Sequence, residues 1–178
     1  MTLNTTAFPM HARAANPALT AALAVAAIAA LTLAGAWFFQ LVIGLVPCEL
    51  CLKQRYVYYL AAPLGLVVAY AAAKGAPRGV VLAGLALLVL VALGNAGLGV
   101  YHAGVEWKFW AGPTECTGAV GNFGSAANLL EQLDKVKVVR CDEIQWTFLG
   151  LSLAGYSVLV SLLMAAIAAW GFVSTKRA

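Results

Sequence analysis

The chain carries four cysteines, Cys48, Cys51, Cys116 and Cys141, and their spacing sorts them into two kinds. Cys48-Glu49-Leu50-Cys51 is a C-x-x-C unit preceded by Pro47, the spacing of redox-active dithiols. Cys116 and Cys141 stand far apart in one polar stretch. A bridge across a C-x-x-C closes a tiny ring, restricts the unfolded chain little and adds little stability. Such a pair suits exchange chemistry better than stapling. Two inert disulfides remain an alternative. A zinc site fits less well: zinc favours four ligands in paired close spacings, and no histidine is close in sequence to the one such unit. Arg55 follows Cys51 by four residues. On a helix that places a guanidinium one turn below the sulfur, where it favours the thiolate. The other reading of Arg55 is an interfacial arginine whose stem lies along apolar surface.

These residues need elements to hold them, and composition says what kind. Of 178 residues, 63% are hydrophobic and 10% charged, against about 45–50% apolar and 25% charged in soluble domains. Mean hydropathy is +0.88. A soluble globule of this size cannot hide that much apolar surface. The net charge of +4 does not point to nucleic acid, because the basic residues are scattered singly.

Four apolar stretches, at about 18–46, 56–73, 79–100 and 146–173, are long enough to cross a bilayer core of about 30 Å as helices. The first is about twice the length of a signal-peptide core, so it is read as a retained helix. The expected fold is all-α: one membrane domain over 1–178, a bundle of four transmembrane helices. The connections fall at about 47–55, 74–78 and 101–145. Arg13, Lys74, Arg78, Lys176 and Arg177 sit beside span ends without acidic neighbours. That pattern puts both termini and the 74–78 hairpin in the cytoplasm, and the cysteines on the outer side, where disulfides persist. Within the long outer loop, Leu129, Leu130, Leu133 and Val136 share one helical face. A short amphipathic helix over 125–138 is expected there, lying on the membrane or packed as an ordinary loop helix. Glycines 112, 118, 121 and 124 around Cys116 favour a segment able to move. Asn95, among Gly94, Gly97 and Gly99, reads as close helix packing, and Gln40 as a packing hydrogen bond, with a place facing a membrane-soluble electron carrier as the alternative.

Pro47-Cys48-Glu49-Leu50-Cys51-Leu52-Lys53-Gln54-Arg55 resembles the first periplasmic loop of the disulfide bond formation protein B (DsbB) family. The stretch from Tyr101 to Glu106 resembles the start of that family's second loop, and the stretch from Arg140 through Leu151 its end. The order of parts matches over roughly residues 18 to 173. This resemblance implies a quinone-dependent thiol oxidase of the bacterial inner membrane. Such an enzyme reoxidises a periplasmic DsbA-type dithiol oxidase and passes the electrons to ubiquinone or menaquinone, with no metal cofactor. It also implies the residue roles. Cys116 forms the mixed disulfide with the partner, and Cys141 passes electrons on by exchange with Cys48. Cys51 is the thiolate beside the quinone ring, and Arg55 its electrostatic support. His102, just past the third stretch, is a candidate for hydrogen bonding a quinone oxygen, or an ordinary interfacial residue. Glu106 sits beside it. Two rival readings are a non-catalytic four-helix scaffold and a vitamin K epoxide reductase-like enzyme. The latter has its C-x-x-C late in the chain, the reverse of the order here.

Overall fold

The computed structural model describes residues 16–113 and 140–177. Its helices are α1 (Pro17–Leu41), α2 (Glu49–Ala73), α3 (Arg78–Glu106) and α4 (Leu153–Arg177); two short strands, β1 (Thr147–Phe148) and β2 (Leu151–Ser152), precede α4. All four helices are long and apolar enough to cross a membrane. At 25 residues, α1 rises about 37 Å. The expected amphipathic helix over 125–138, and Cys116, lie outside the described residues.

The helices do not stop where the apolar stretches stop. Helix α1 ends at Leu41 rather than near Val46, because Gly44 takes a left-handed φ of +79° and Pro47 follows. Helix α2 begins at Glu49, seven residues before the apolar stretch, so Cys51 and Arg55 are helical. Helix α3 runs on through Tyr101–Glu106 to a turn at Lys108, whose φ is +61°. Helix α4 begins at Leu153 rather than near Trp146. Leu149 (φ +50°) and Gly150 (φ +79°) form a two-residue hairpin turn pairing Thr147 with Ser152 and Phe148 with Leu151.

Short connections make α1 and α2, and α2 and α3, pack side by side. The contacts run α1–α2, α2–α3, α3–α4 and α4–α1, while the α1–α3 diagonal barely touches. Lipid gives no hydrophobic drive to helix association, so close approach through small residues must supply it. Each interface in the ring has one glycine at its tightest point. A Cβ on Gly65 would meet the Ala22 carbonyl oxygen at 2.9 Å, one on Gly84 the Val68 side chain at 2.5 Å, one on Gly99 Val158 at 2.8 Å and one on Gly171 the Ala21 Cβ at 2.4 Å. Alanines 18, 21, 22, 26 and 29 form the buried face of α1. At the end of the bundle away from the C-x-x-C, Asn16 caps α1 by accepting from the Ala18 and Leu19 amides. Its side-chain amide donates to the Ala72 carbonyl, tying α1 to the end of α2.

Gly171→Val is therefore expected to force α1 and α4 apart and cost about 1–3 kcal/mol. Gly97→Ala, whose added Cβ has nothing within 4 Å, is expected to keep or slightly raise stability, since alanine favours a helix interior over glycine. Thermal unfolding of both variants in the same detergent checks the pair.

Candidate functional site at the end of the bundle

The site is built where α2 begins and α3 ends. Cys48 is the N-cap of α2, and its sulfur accepts the Cys51 backbone N–H at 3.2 Å. The Cys51 sulfur lies 2.7 Å from it, so little movement separates this free dithiol from a bonded pair at about 2.05 Å. On α3, His102 and Glu106 stand one turn apart and face the pair. His102 Nε2 lies 3.5 Å from the Cys48 sulfur, and Nδ1 lies 2.9 Å from Gln54 Nε2. An amide nitrogen can only donate, so Nδ1 accepts and the hydrogen sits on Nε2, toward the sulfur. Glu106 Oε1 is 3.9 Å from that same Nε2. The other Glu106 oxygen accepts from the Ser152 hydroxyl, which in turn accepts the Gly155 N–H at 3.2 Å. The β hairpin is thereby fastened to the end of α3. His102 is 2% exposed and Glu106 9%, so these polar groups rely on one another for partners.

Cys48 is held well below its ordinary 9.0, at about 5. The Cys51 side chain against its sulfur is the chief cause; burial opposes it, and His102 and the Cys51 backbone N–H add to the lowering. At neutral pH the N-cap sulfur is a thiolate.

Cys141 is also buried, at 1% exposed, in one small cluster with Cys48, Leu50 and Val105. It is disulfide-bonded. Beside it the exposed Arg140 makes a two-pronged bond to Asp142, at 3.0 and 2.8 Å. The guanidinium lowers the Asp142 carboxyl pKa and the carboxylate raises that of Arg140. Cys116 belongs to the stretch outside the described residues.

From the dithiol a cavity of about 330 Å³ opens between α1, α2 and α4. Cys51, Gln54, His102 and Gln145 border one end. The walls are mainly apolar, among them Phe39, Leu45, Leu153 and Val160. Arg55 lines it too, but its described partners are on α1: it donates to Gln40 Oε1 at 2.6 Å and the Ala36 carbonyl at 3.4 Å, and lies over the Trp37 ring at 5.4 Å. Gln40 thus lines the cavity and orients the arginine, rather than merely packing α1. Asn95 does pack: it is 1% exposed and donates to Ser161 on α4.

Distance in sequence misled on one point. No histidine is near the C-x-x-C along the chain, yet the fold brings His102 to it, and Cys48, Cys51 and His102 place ligand atoms within 4.8 Å of one another. Among the described residues they are a cluster whose ligand atoms lie close enough together to hold a cation. Gln54 and Ser152 were not singled out from sequence. Gln54 had a signal, since positions 51, 54, 55 and 58 form one face once α2 is started at Cys48. Ser152 had none, because its role depends on the hairpin.

Comparison with known proteins finds similarity over most of the chain. A family model described as Disulfide bond formation protein DsbB matches residues 18–171. A Polaromonas protein named Disulfide bond formation protein B is 32% identical over 135 residues, covering 73% of this chain and 76% of that one. Proteins of the same name from an Azoarcus species and from Marinobacter nauticus are 34% and 37% identical. They cover 83% and 74% of this chain, and 88% and 79% of their own.

Ultraviolet absorbance of the reduced protein against pH is expected to show one thiolate with a midpoint near 5. The depressed value stabilises the reduced fold in full above 9.0, and that contribution is lost as pH falls to about 5. His102→Ala, which removes one lowering influence, moves the midpoint up.

Proposed function

The chain belongs to the disulfide bond formation protein DsbB family, and we propose that it is a thiol:quinone oxidoreductase that reoxidises a periplasmic DsbA-type dithiol oxidase. At the coarser level it is a multi-pass inner-membrane protein and a disulfide-forming oxidoreductase. The observation that carries the finer reading is a dithiol, one member acidic, opening onto a largely apolar cavity among membrane-crossing helices. Apolar walls of this kind suit a lipid-soluble acceptor better than a soluble one.

The residues fit a quinone. The volume lies within the usual range for small-molecule sites, about 300–1,000 Å³. Polar groups stand at separate points on apolar walls, as a flat ring with oxygen substituents requires. Arg55, held by Gln40, would offer hydrogens to it, while His102, held by Gln54, keeps its one ring hydrogen on the Cys48 sulfur. A bound ubiquinone or menaquinone would supply a two-electron oxidant for the electrons given up as the Cys48 thiolate and the Cys51 thiol close their disulfide, taking the one proton that Cys51 releases and a second from water.

The chain's own residues do the rest. In the reading offered here, Cys116 is attacked by the partner's thiolate and carries the mixed disulfide, while the Cys141 thiolate leaves. Cys141 then attacks Cys48, and the Cys48–Cys51 bond breaks with Cys51 leaving as a thiolate at the cavity. The burial of Cys141 beside Cys48 supports this order. Gln54 fixes the His102 tautomer so that its Nε2 hydrogen meets the Cys48 sulfur. That hydrogen bond stabilises the Cys48 thiolate when exchange releases it. Both termini are assigned to the cytoplasm and the cysteines to the periplasm, supported by Lys74, Arg78, Lys176 and Arg177 at the opposite end of the bundle.

The test mixes purified protein with a reduced DsbA-type dithiol and a soluble ubiquinone, and follows quinone absorbance. Turnover is expected, and Cys51→Ser abolishes it; normal turnover by that variant overturns the reading. Cys141→Ser removes the resolving thiol and is expected to accumulate a partner adduct through Cys116, visible on non-reducing gels and identified by peptide mapping.

A further inference from the structure

The cavity has a second polar end that the thiol chemistry does not use. Tyr58 and Ser157 line it. Tyr58 lies seven residues beyond Cys51 on α2 and three beyond Arg55, about 10 Å and about 4.5 Å further along the axis. Its hydroxyl is 3.0 Å from Ser157 Oγ, 3.3 Å from the Ser157 carbonyl and 3.1 Å from Ser161 Oγ. Ser161, fully buried, accepts from Asn95 Nδ2 at 3.0 Å.

The hydroxyls of this chain can turn between partners. Asn95 donates to the Ser161 oxygen, which keeps its own hydrogen and a second lone pair for Tyr58, so the Tyr58–Ser161 contact can run in either direction. Tyr58 and Ser157 then hold two hydrogens between them. If Tyr58 donates to Ser157 Oγ, the Ser157 hydrogen is free to turn toward the cavity that Ser157 lines. If Ser157 donates to Tyr58, the Tyr58 hydrogen goes to Ser161 Oγ, to the Ser157 carbonyl, the longest bond of the set, or into the cavity. Releasing that one long bond turns a donor onto a ligand. In hydrocarbon, with no water to receive it, a donor aimed at an apolar cavity is costly unless the ligand brings an acceptor.

We infer that Tyr58 and Ser157 form an inner hydrogen-bonding subsite for the quinone oxygen turned away from the cysteines, with Ser161 and Asn95 as positioning residues behind them. The inference rests on the quinone reading above. It makes this cavity selective for rings with oxygens at both ends over rings with one. Tyr58 and Ser157 would touch the ligand; Ser161 would act through Tyr58.

The experiment is infrared difference spectroscopy of the full chain in detergent, loaded with decylubiquinone carrying an isotope label at either ring carbonyl, with affinity measured alongside. The unmodified protein is expected to shift both carbonyl bands from their free positions. Tyr58→Phe and Ser157→Ala should each return the same one of the two toward its free position and weaken binding roughly tenfold, equivalent to about 1.4 kcal/mol. Ser157→Ala keeps the test open if Tyr58→Phe fails to fold. If both variants keep both shifts and full affinity, the inner subsite is overturned while the quinone reading stands. If the unmodified protein binds no decylubiquinone, both fall.

Discussion

One sulfur organises this end of the molecule. Cys48 is at once the N-cap of α2, the partner of Cys51 and the neighbour of His102. Each relation pulls in the same direction. An N-cap position offers free backbone N–H groups and the positive end of the helix dipole. The Cys51 side chain and the His102 ring add stabilisation to the same anion. Burial alone would push a thiol the other way; here the local donors outweigh it. The acidity therefore depends on α2 beginning at Glu49, with Pro47 just before the cap, and on α3 being long enough to bring His102 alongside.

That arrangement passes its demands down the bundle. His102 and Glu106 can face the cysteines only if α2 and α3 meet closely over their length, which Gly84 against Val68 permits. Glu106 is held by Ser152, so the α3–α4 contact must also be fixed, and Gly99 against Val158 lies on that seam. With α1–α3 contact nearly absent, the ring leaves room beside α1. The cavity opens into that room, bordered by α1, α2 and α4. Helices that approach through glycine and alanine on their seams, but part where Phe39, Gln40 and Arg55 project, produce a packed bundle with one hollow end.

Much of this was legible in the sequence, and the rest was not for identifiable reasons. Apolar run length carried the four helices, because lipid allows few other backbones. It misplaced their ends because apolarity marks contact with lipid, whereas helix ends are set by backbone chemistry. Tyr101–Glu106 stops being apolar yet continues as helix, so His102 and Glu106 read as loop residues when they are one turn apart on α3. Leu149-Gly150 is a left-handed pair hidden in an apolar sequence, without the Asn-Gly or Asp-Gly that advertises such a turn. Spacing identified the C-x-x-C and placed Arg55 on its helix. It could not show that the guanidinium turns toward Gln40 and Trp37 on α1, or that a histidine from α3 stands beside the other sulfur, that of Cys48. Which side chain serves which partner is decided by contacts between helices, and those carry no local sequence signal.

The polar residues inside this bundle form two sets with different consequences. Gln54, His102, Glu106 and Ser152 lie at the end of the bundle and surround the thiolate. Tyr58, Asn95, Ser157 and Ser161 lie deeper, where an unmatched polar group has no water to turn to. Apolar residues of similar size would pack there without that constraint. The Asn95 carbonyl oxygen nonetheless has no partner among the described residues, so this deep set is not arranged to satisfy every member. Packing alone does not require an asparagine, two serines and a tyrosine in one connected row. A row that ends on a cavity wall is accounted for when the cavity's occupant supplies an acceptor, because that occupant then completes the hydrogen bonding the helices leave open.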